Sequence, residues 1–219
     1  AQMADPRVAA FRAVTSYVRP PHSHGCPPVE VVPGVWTAHY HDIDAREKLQ
    51  AAAAATTLVV NAATVDKCPV DAVSYGEGIE VLCIDGLLDD PEPLKKLEAM
   101  PQGAEKDAAR AALPAFAPEE CAGDAYKDFE RVNAAIAKEV EAGGAAMVHC
   151  YASLSRSVVF ILAYLMKTRG LSATEAAALM KPKWDATWPN DSFVAQLLKY
   201  EDDLAKVQYP WRSATSPEK

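Results

Sequence analysis

Cys150 and Arg156 stand six positions apart in the stretch His149-Cys150-Tyr151-Ala152-Ser153-Leu154-Ser155-Arg156-Ser157. Their chemistries are complementary. A thiolate is a strong nucleophile, and a guanidinium is a planar, permanently charged fork that grips two oxygens of a phosphate or sulfate. Ser155 and Ser157 place hydroxyls close enough in sequence to donate hydrogen bonds to the sulfur when it leaves. Upstream, Ala145-Ala146-Met147-Val148 follows Gly143-Gly144 and reads as a buried strand entered through a turn. Downstream, the apolar run 158–166, closed by Lys167, Arg169 and Gly170, reads as a helix. The loop therefore ends at a helix N-terminus, where unpartnered N–H groups and the helix dipole favour an anion and lower the pKa of a nearby thiol. Nucleophile, anion cradle and cationic clamp share one loop.

The elements that position this loop read as α/β. The segment 29–38 runs apolar around Pro33-Gly34 and predicts two short strands in hairpin fashion. Asp42 or Asp44 is a candidate cap for a helix reaching about residue 55. Leu58-Val59-Val60-Asn61-Ala62-Ala63 lacks alternation, as expected of a strand covered on both faces, where Asn61 needs a partner. Residues 79–84 predict another strand, read as central, with Asp89-Asp90 at its exit. The segment 91–123 is broken by Pro101, Pro114 and Pro118 and reads as an insertion with short helices at 94–100 and 105–113. Helical spacing returns at 124–142. Ser172 with Glu175 forms a capping box, and Asn190 caps a last helix through residue 205. The expected division is an N-terminal arm at 1–27 with a short helix at 8–18, a domain at 28–207, and a tail at 208–219.

The 219 residues carry a net charge of −8. That balance disfavours nucleic acid and anionic membrane surfaces as partners, while still allowing a locally positive pocket. No run of about 18 apolar residues marks a membrane span, and no basic-then-apolar leader opens the chain, so the expectation is a soluble, cytoplasmic protein. Five widely spaced cysteines without a CxxC pair disfavour a disulfide framework and a zinc site. His22 with His24, and His39 with His41, have metal-compatible spacing but no third ligand type nearby, so no metal is expected.

The motif His149-Cys150-x5-Arg156-Ser157 resembles the signature of the dual-specificity branch of the cysteine-dependent protein tyrosine phosphatases. Four further stretches are similar to that family, in order: Pro33-Gly34-Val35-Trp36, Val59-Val60-Asn61-Ala62-Ala63, Leu162-Ala163-Tyr164-Leu165-Met166-Lys167, and Pro189-Asn190-x-x-Phe193-x-x-Gln196-Leu197. The resemblance covers about residues 28–205.

The resemblance implies a central, mixed but largely parallel sheet of about five strands flanked by helices. It also implies hydrolysis of phosphotyrosine and phosphoserine/threonine in proteins, without a cofactor. Cys150 would attack phosphorus, and the amides of Tyr151, Ala152, Ser153, Leu154 and Ser155 with Arg156 would hold the phosphoryl oxygens. Phosphate, sulfate or vanadate could occupy the same loop. Ser157 would stabilise the departing thiolate, and Asp89 or Asp90 would be the general acid, with Glu119, Glu120 and Asp124 as rivals. His149, Asn61 and Asn190 would support the loop. Ser153 stands where the family usually has glycine, at a cost of about 1 kcal/mol if φ is positive. That departure motivates a rival reading, a phosphate-binding module with little turnover. A third reading, a phosphoinositide phosphatase, is weaker because the loop adds no lysine. Cys83 is read mainly as packing, with a disulfide to oxidised Cys150 as the alternative. Trp184 and Trp188 are read equally as loop anchors or substrate contacts.

Overall fold

The computed structural model describes residues 5–15, 27–63, 68–71, 73–88, 100–101, 103–105 and 123–208. Helix α1 (Pro6–Val14) precedes strands β1 (Val29–Val32) and β2 (Val35–Thr37). A 3-10 turn at Tyr40–Asp42 leads into α2 (Arg46–Ala52), β3 (Thr56–Asn61) and β4 (Glu80–Cys83). Then follow α3 (Tyr126–Glu141), β5 (Ala145–His149), α4 (Arg156–Arg169), α5 (Ala173–Met180) and α6 (Asp191–Gln208).

The sheet order is β1-β2-β5-β3-β4, antiparallel only between β1 and β2. The expected mixed, largely parallel five-stranded sheet is therefore present. Gly34, with φ +79°, supplies the left-handed residue of the turn between β1 and β2. Every residue of the central β5 is buried, which explains its unalternating small-and-apolar sequence. Helix α3 packs on β5 and β3, and α4 on β5. All residues from Arg156 to Met166 in α4 are buried, because this helix also meets α3, α5 and α6. Gly170, with φ +65°, ends it.

Several sequence expectations need correction. Strand β4 is an edge strand with partly exposed residues, since β5 enters the sheet between β2 and β3 and displaces β4 outward. Neither Asp42 nor Asp44 caps α2; Ala45 holds that position without a side-chain bond, and the Asp44 carboxylate accepts instead from Lys48 Nζ at 2.7 Å. The N-terminal helix begins and ends earlier than expected, and it packs against α5 and α6 with Phe11 fully buried. The capping box at Ser172 forms as expected, and Asn190 Oδ1 accepts from Phe193 N at 3.0 Å at the start of α6. The helices expected at 94–100 and 105–113 fall almost wholly outside the described residues. At the end of that segment, Gly123 lies hard against Gly86: a Cβ on Gly123 would stand 2.1 Å from the Gly86 carbonyl oxygen. Among the described residues, no helix is long and apolar enough to cross a membrane.

Candidate active site

The parallel ladder between β2 and β5 ends with Thr37 opposite Val148, and that between β3 and β5 ends with Asn61 opposite His149. Beyond those rungs the chain turns through residues 150–155 into α4. What shapes the turn is the fate of its carbonyls. Tyr151 O accepts from Tyr40 N at 2.9 Å, Ser153 O from the Trp184 indole Nε1 at 2.7 Å, and Leu154 O from Trp188 N at 2.9 Å. Donors from two flanking segments thus pull the carbonyls outward. Ser155, at the N-cap of α4, makes no side-chain cap bond, and no acidic residue occupies the first turn. The first-turn N–H groups keep their capacity for an external acceptor. Arg156 follows at once, buried to 6% exposure.

Cys150 is fully buried at the foot of this cradle, and Ser157 Oγ donates to its sulfur at 3.6 Å. Ser155 Oγ accepts from Asn190 N at 3.0 Å and so ties the loop to α6. Asn190 Nδ2 in turn reaches the Leu88 carbonyl at 3.4 Å. The residue just before Asp89 is therefore linked through Asn190 to the loop, whereas Asp89 and Asp90 lie outside the described residues, as do Glu119 and Glu120. Asp124 is described; its carboxylate accepts from Lys127 N at 3.1 Å at the start of α3.

His149 is fully buried, with Nδ1 3.1 Å from the Cys150 carbonyl and its ring stacked on Tyr40. Burial, reinforced by the positive charge of Arg156, pulls its pKa down to about 4. The imidazole is neutral at pH 7, and a carbonyl partner requires the proton on Nδ1. That geometry orients the loop. Asn61 supports it from one strand away: Nδ2 donates to the carbonyls of Cys68 and Val70 at 3.0 Å each, Oδ1 accepts from Ala63 N, and Ala62 N donates to the His149 carbonyl at 2.8 Å.

At the rim, Tyr151 is 40% exposed and meets His39 and His41 edge-on, with His41 Nε2 3.3 Å from its hydroxyl. Among the described residues no three His, Cys, Asp or Glu side chains converge on a metal-sized site. Trp184, 3% exposed, is a loop anchor. Cys83 and His149 flank Asn61 in register from opposite sides. Two strand spacings separate them by roughly 10 Å, beyond the ~7 Å Cα span a disulfide bridges. Pairing Cys83 with Cys150 would need backbone movement, and burial with Asp85 nearby pushes the Cys83 thiol up. The sequence reading missed the backbone partners Ala38 and Tyr40, which have no side-chain signature.

A largely parallel sheet that delivers a Cys-x5-Arg loop into a buried helix defines the protein tyrosine phosphatase class of fold. Residues 97–203 match the family model described as dual specificity phosphatase, catalytic domain. Dual specificity phosphatase 28 of Homo sapiens is 39% identical over 92 residues, 42% of this chain and 51% of that protein. Dual specificity protein phosphatase 1B of Arabidopsis thaliana is 33% identical over 76 residues, 35% of this chain and 46% of that one. The chain thus spans about half the length of these curated relatives. The crystal structure of human DUSP28 superposes with a TM-score of 0.59 at 27% identity, covering 82% of this chain and 96% of that one. The human tyrosine phosphatase-like serine/threonine/tyrosine-interacting protein shares the fold at a TM-score of 0.60 and 22% identity, over 81% of this chain and 97% of that one. Over residues 97–203 the chain is similar to the dual specificity phosphatase catalytic domain, and its fold is that of the protein tyrosine phosphatases.

Proposed function

We propose that this chain hydrolyses phosphotyrosine and phosphoserine/threonine in proteins through a cysteinyl-phosphate. The observation that carries the reading is Cys150 held at the open N-terminus of α4, with Arg156 in the first turn and Ser157 Oγ on the sulfur. In the first step the Cys150 sulfur forms a bond to phosphorus as the ester O–P bond breaks. The leaving oxygen takes its proton from Asp89 or Asp90. The amides of residues 151–156 and the Arg156 fork hold the three remaining oxygens. In the second step water attacks phosphorus and gives its proton to the same carboxylate, while the S–P bond breaks with its electrons returning to sulfur. Ser157 donates its hydrogen bond to that departing sulfur. The link from Leu88 through Asn190 to Ser155 supports an acid on the segment that follows Leu88. A thiol that must stay reduced fits a cytoplasmic setting.

The test is hydrolysis of an aryl phosphate by the wild-type chain and by Cys150→Ser, with vanadate as inhibitor. Turnover falls to background in Cys150→Ser, by about 10⁴-fold or more; turnover that survives rejects the mechanism. In the same assay Asp89→Asn and Asp90→Asn identify the acid. Only the substitution at the true acid slows substrates with poor leaving groups far more than those with good ones.

A further inference from the structure

Among the described residues, Ser153 is the one non-glycine residue with positive φ, at +51°. An L-residue there is disfavoured relative to glycine, and a short polar side chain offsets the cost only by bonding locally. Ser153 does so from a fully buried position. Its Oγ donates to the Ala38 carbonyl at 2.5 Å and accepts from the Cys150 amide at 3.3 Å. Ala38 directly follows β2, and Cys150 directly follows β5. Their last paired residues, Thr37 and Val148, lie just before this point. The hydroxyl therefore acts as an extra rung across the opening where the two strands part. It also ties the first residue of the phosphate loop to the fourth.

We propose that Ser153 is a positioning residue whose hydroxyl holds the loop in its anion-ready shape and so sets the affinity for the phosphoryl group. The inference rests on the reading of this loop as the phosphate-binding catalytic site. A cradle whose amides are fixed before the ligand arrives loses nothing to reordering on binding. Glycine at 153 would relieve the backbone but leave the Cys150 N–H and the Ala38 carbonyl without this partner, in a buried setting where unmet polar groups are costly.

The two effects pull in opposite directions, and that separates positioning from a merely structural role. In Ser153→Gly, relief of the backbone strain offsets part of the lost hydrogen bonding, so Tm changes little or falls slightly, while vanadate inhibition and kcat/KM weaken by about tenfold, mostly through KM. Ser153→Ala keeps the strained φ and loses the bridge, so it shows the same weakening with a lower Tm. Vanadate inhibition at or tighter than the wild-type level in Ser153→Gly overturns the proposal. Inorganic phosphate binding to Cys150→Ser, with and without Ser153→Gly, is measured by calorimetry and needs no turnover. A wild-type chain without turnover, whose phosphate binding still weakens about tenfold on Ser153→Gly, fails the catalytic reading and sustains the positioning one. Unchanged phosphate binding fails the positioning proposal whatever the turnover.

Discussion

The imidazole of His149 shows how one buried side chain couples the site to the stability of the whole. Its pKa is held at about 4 in the folded chain by burial and by Arg156, against ~6.5 in an unfolded one. The folded pKa is depressed, so the unfolded chain takes up the proton first as pH falls. The contribution to stability is complete above about pH 6.5 and is lost between there and about pH 4. It amounts to about 3 kcal/mol. Urea unfolding midpoints taken from pH 7 to pH 4.5 should fall in the wild type more steeply than in His149→Asn; parallel curves for the two would reject the assignment. The sequence marked His149 as an orienter because it adjoins Cys150 in the motif. It gave no hint that Tyr40 stacks on the ring, since that contact depends on where a segment more than 100 positions away is folded back.

At the scale of elements, α6 acts as the clasp on the start of α3. Gln196, 1% exposed, accepts from Ala125 N at 2.8 Å and Tyr126 N at 2.9 Å, and donates to the Gly123 carbonyl at 2.9 Å. Helix α3 has no cap bond from its own N-cap residue, so a side chain on another helix caps it. Gln196→Leu strands two helix-start N–H groups and a carbonyl, and should cost about 2–3 kcal/mol in urea unfolding. Gln196→Glu keeps the acceptor and adds negative charge at a helix N-terminus, so it should recover more than half of the loss. Equal destabilisation by both would show that packing, not capping, is what Gln196 supplies. Gln196 was visible in the sequence as part of the terminal motif, but its task was not, because its partners lie 70 or more positions upstream. The same limit explains β4. Its apolar residues identify a strand, but strand order depends on which later strand enters the sheet, so an edge strand was read as central. The caps at Ser172 and Asn190 were legible because donor and acceptor lie within four residues.

Across the whole molecule, α1, in the N-terminal arm, packs onto the domain through α5 and α6. Arg7 pairs with Asp202 at 2.6 Å, and Arg12 lies over the Trp188 ring at 4.5 Å while bonding Asp191. Trp188 N holds the Leu154 carbonyl, so the N-terminal helix reaches the phosphate loop through one intervening residue. The Arg7 pair is half open to solvent and should be worth under ~1 kcal/mol, whereas Phe11→Ala should cost about 3–4 kcal/mol. Thermal melts of Arg7→Ala and Phe11→Ala check the order, and a larger loss for Arg7→Ala would contradict apolar docking as the cause.

The sheet order also has a consequence in time. Among the described residues, the pairs β1–β2 and β3–β4 share no rung with each other; only β5 joins them, and it is the last of the described strands. A chain emerging from its N-terminus holds two separate ribbons with apolar edges open to wrong partners until residues 145–149 arrive. Because β5 carries Cys150 at its end, the strand that completes the sheet is also the strand that installs the nucleophile. A half-assembled chain therefore has no site to misuse.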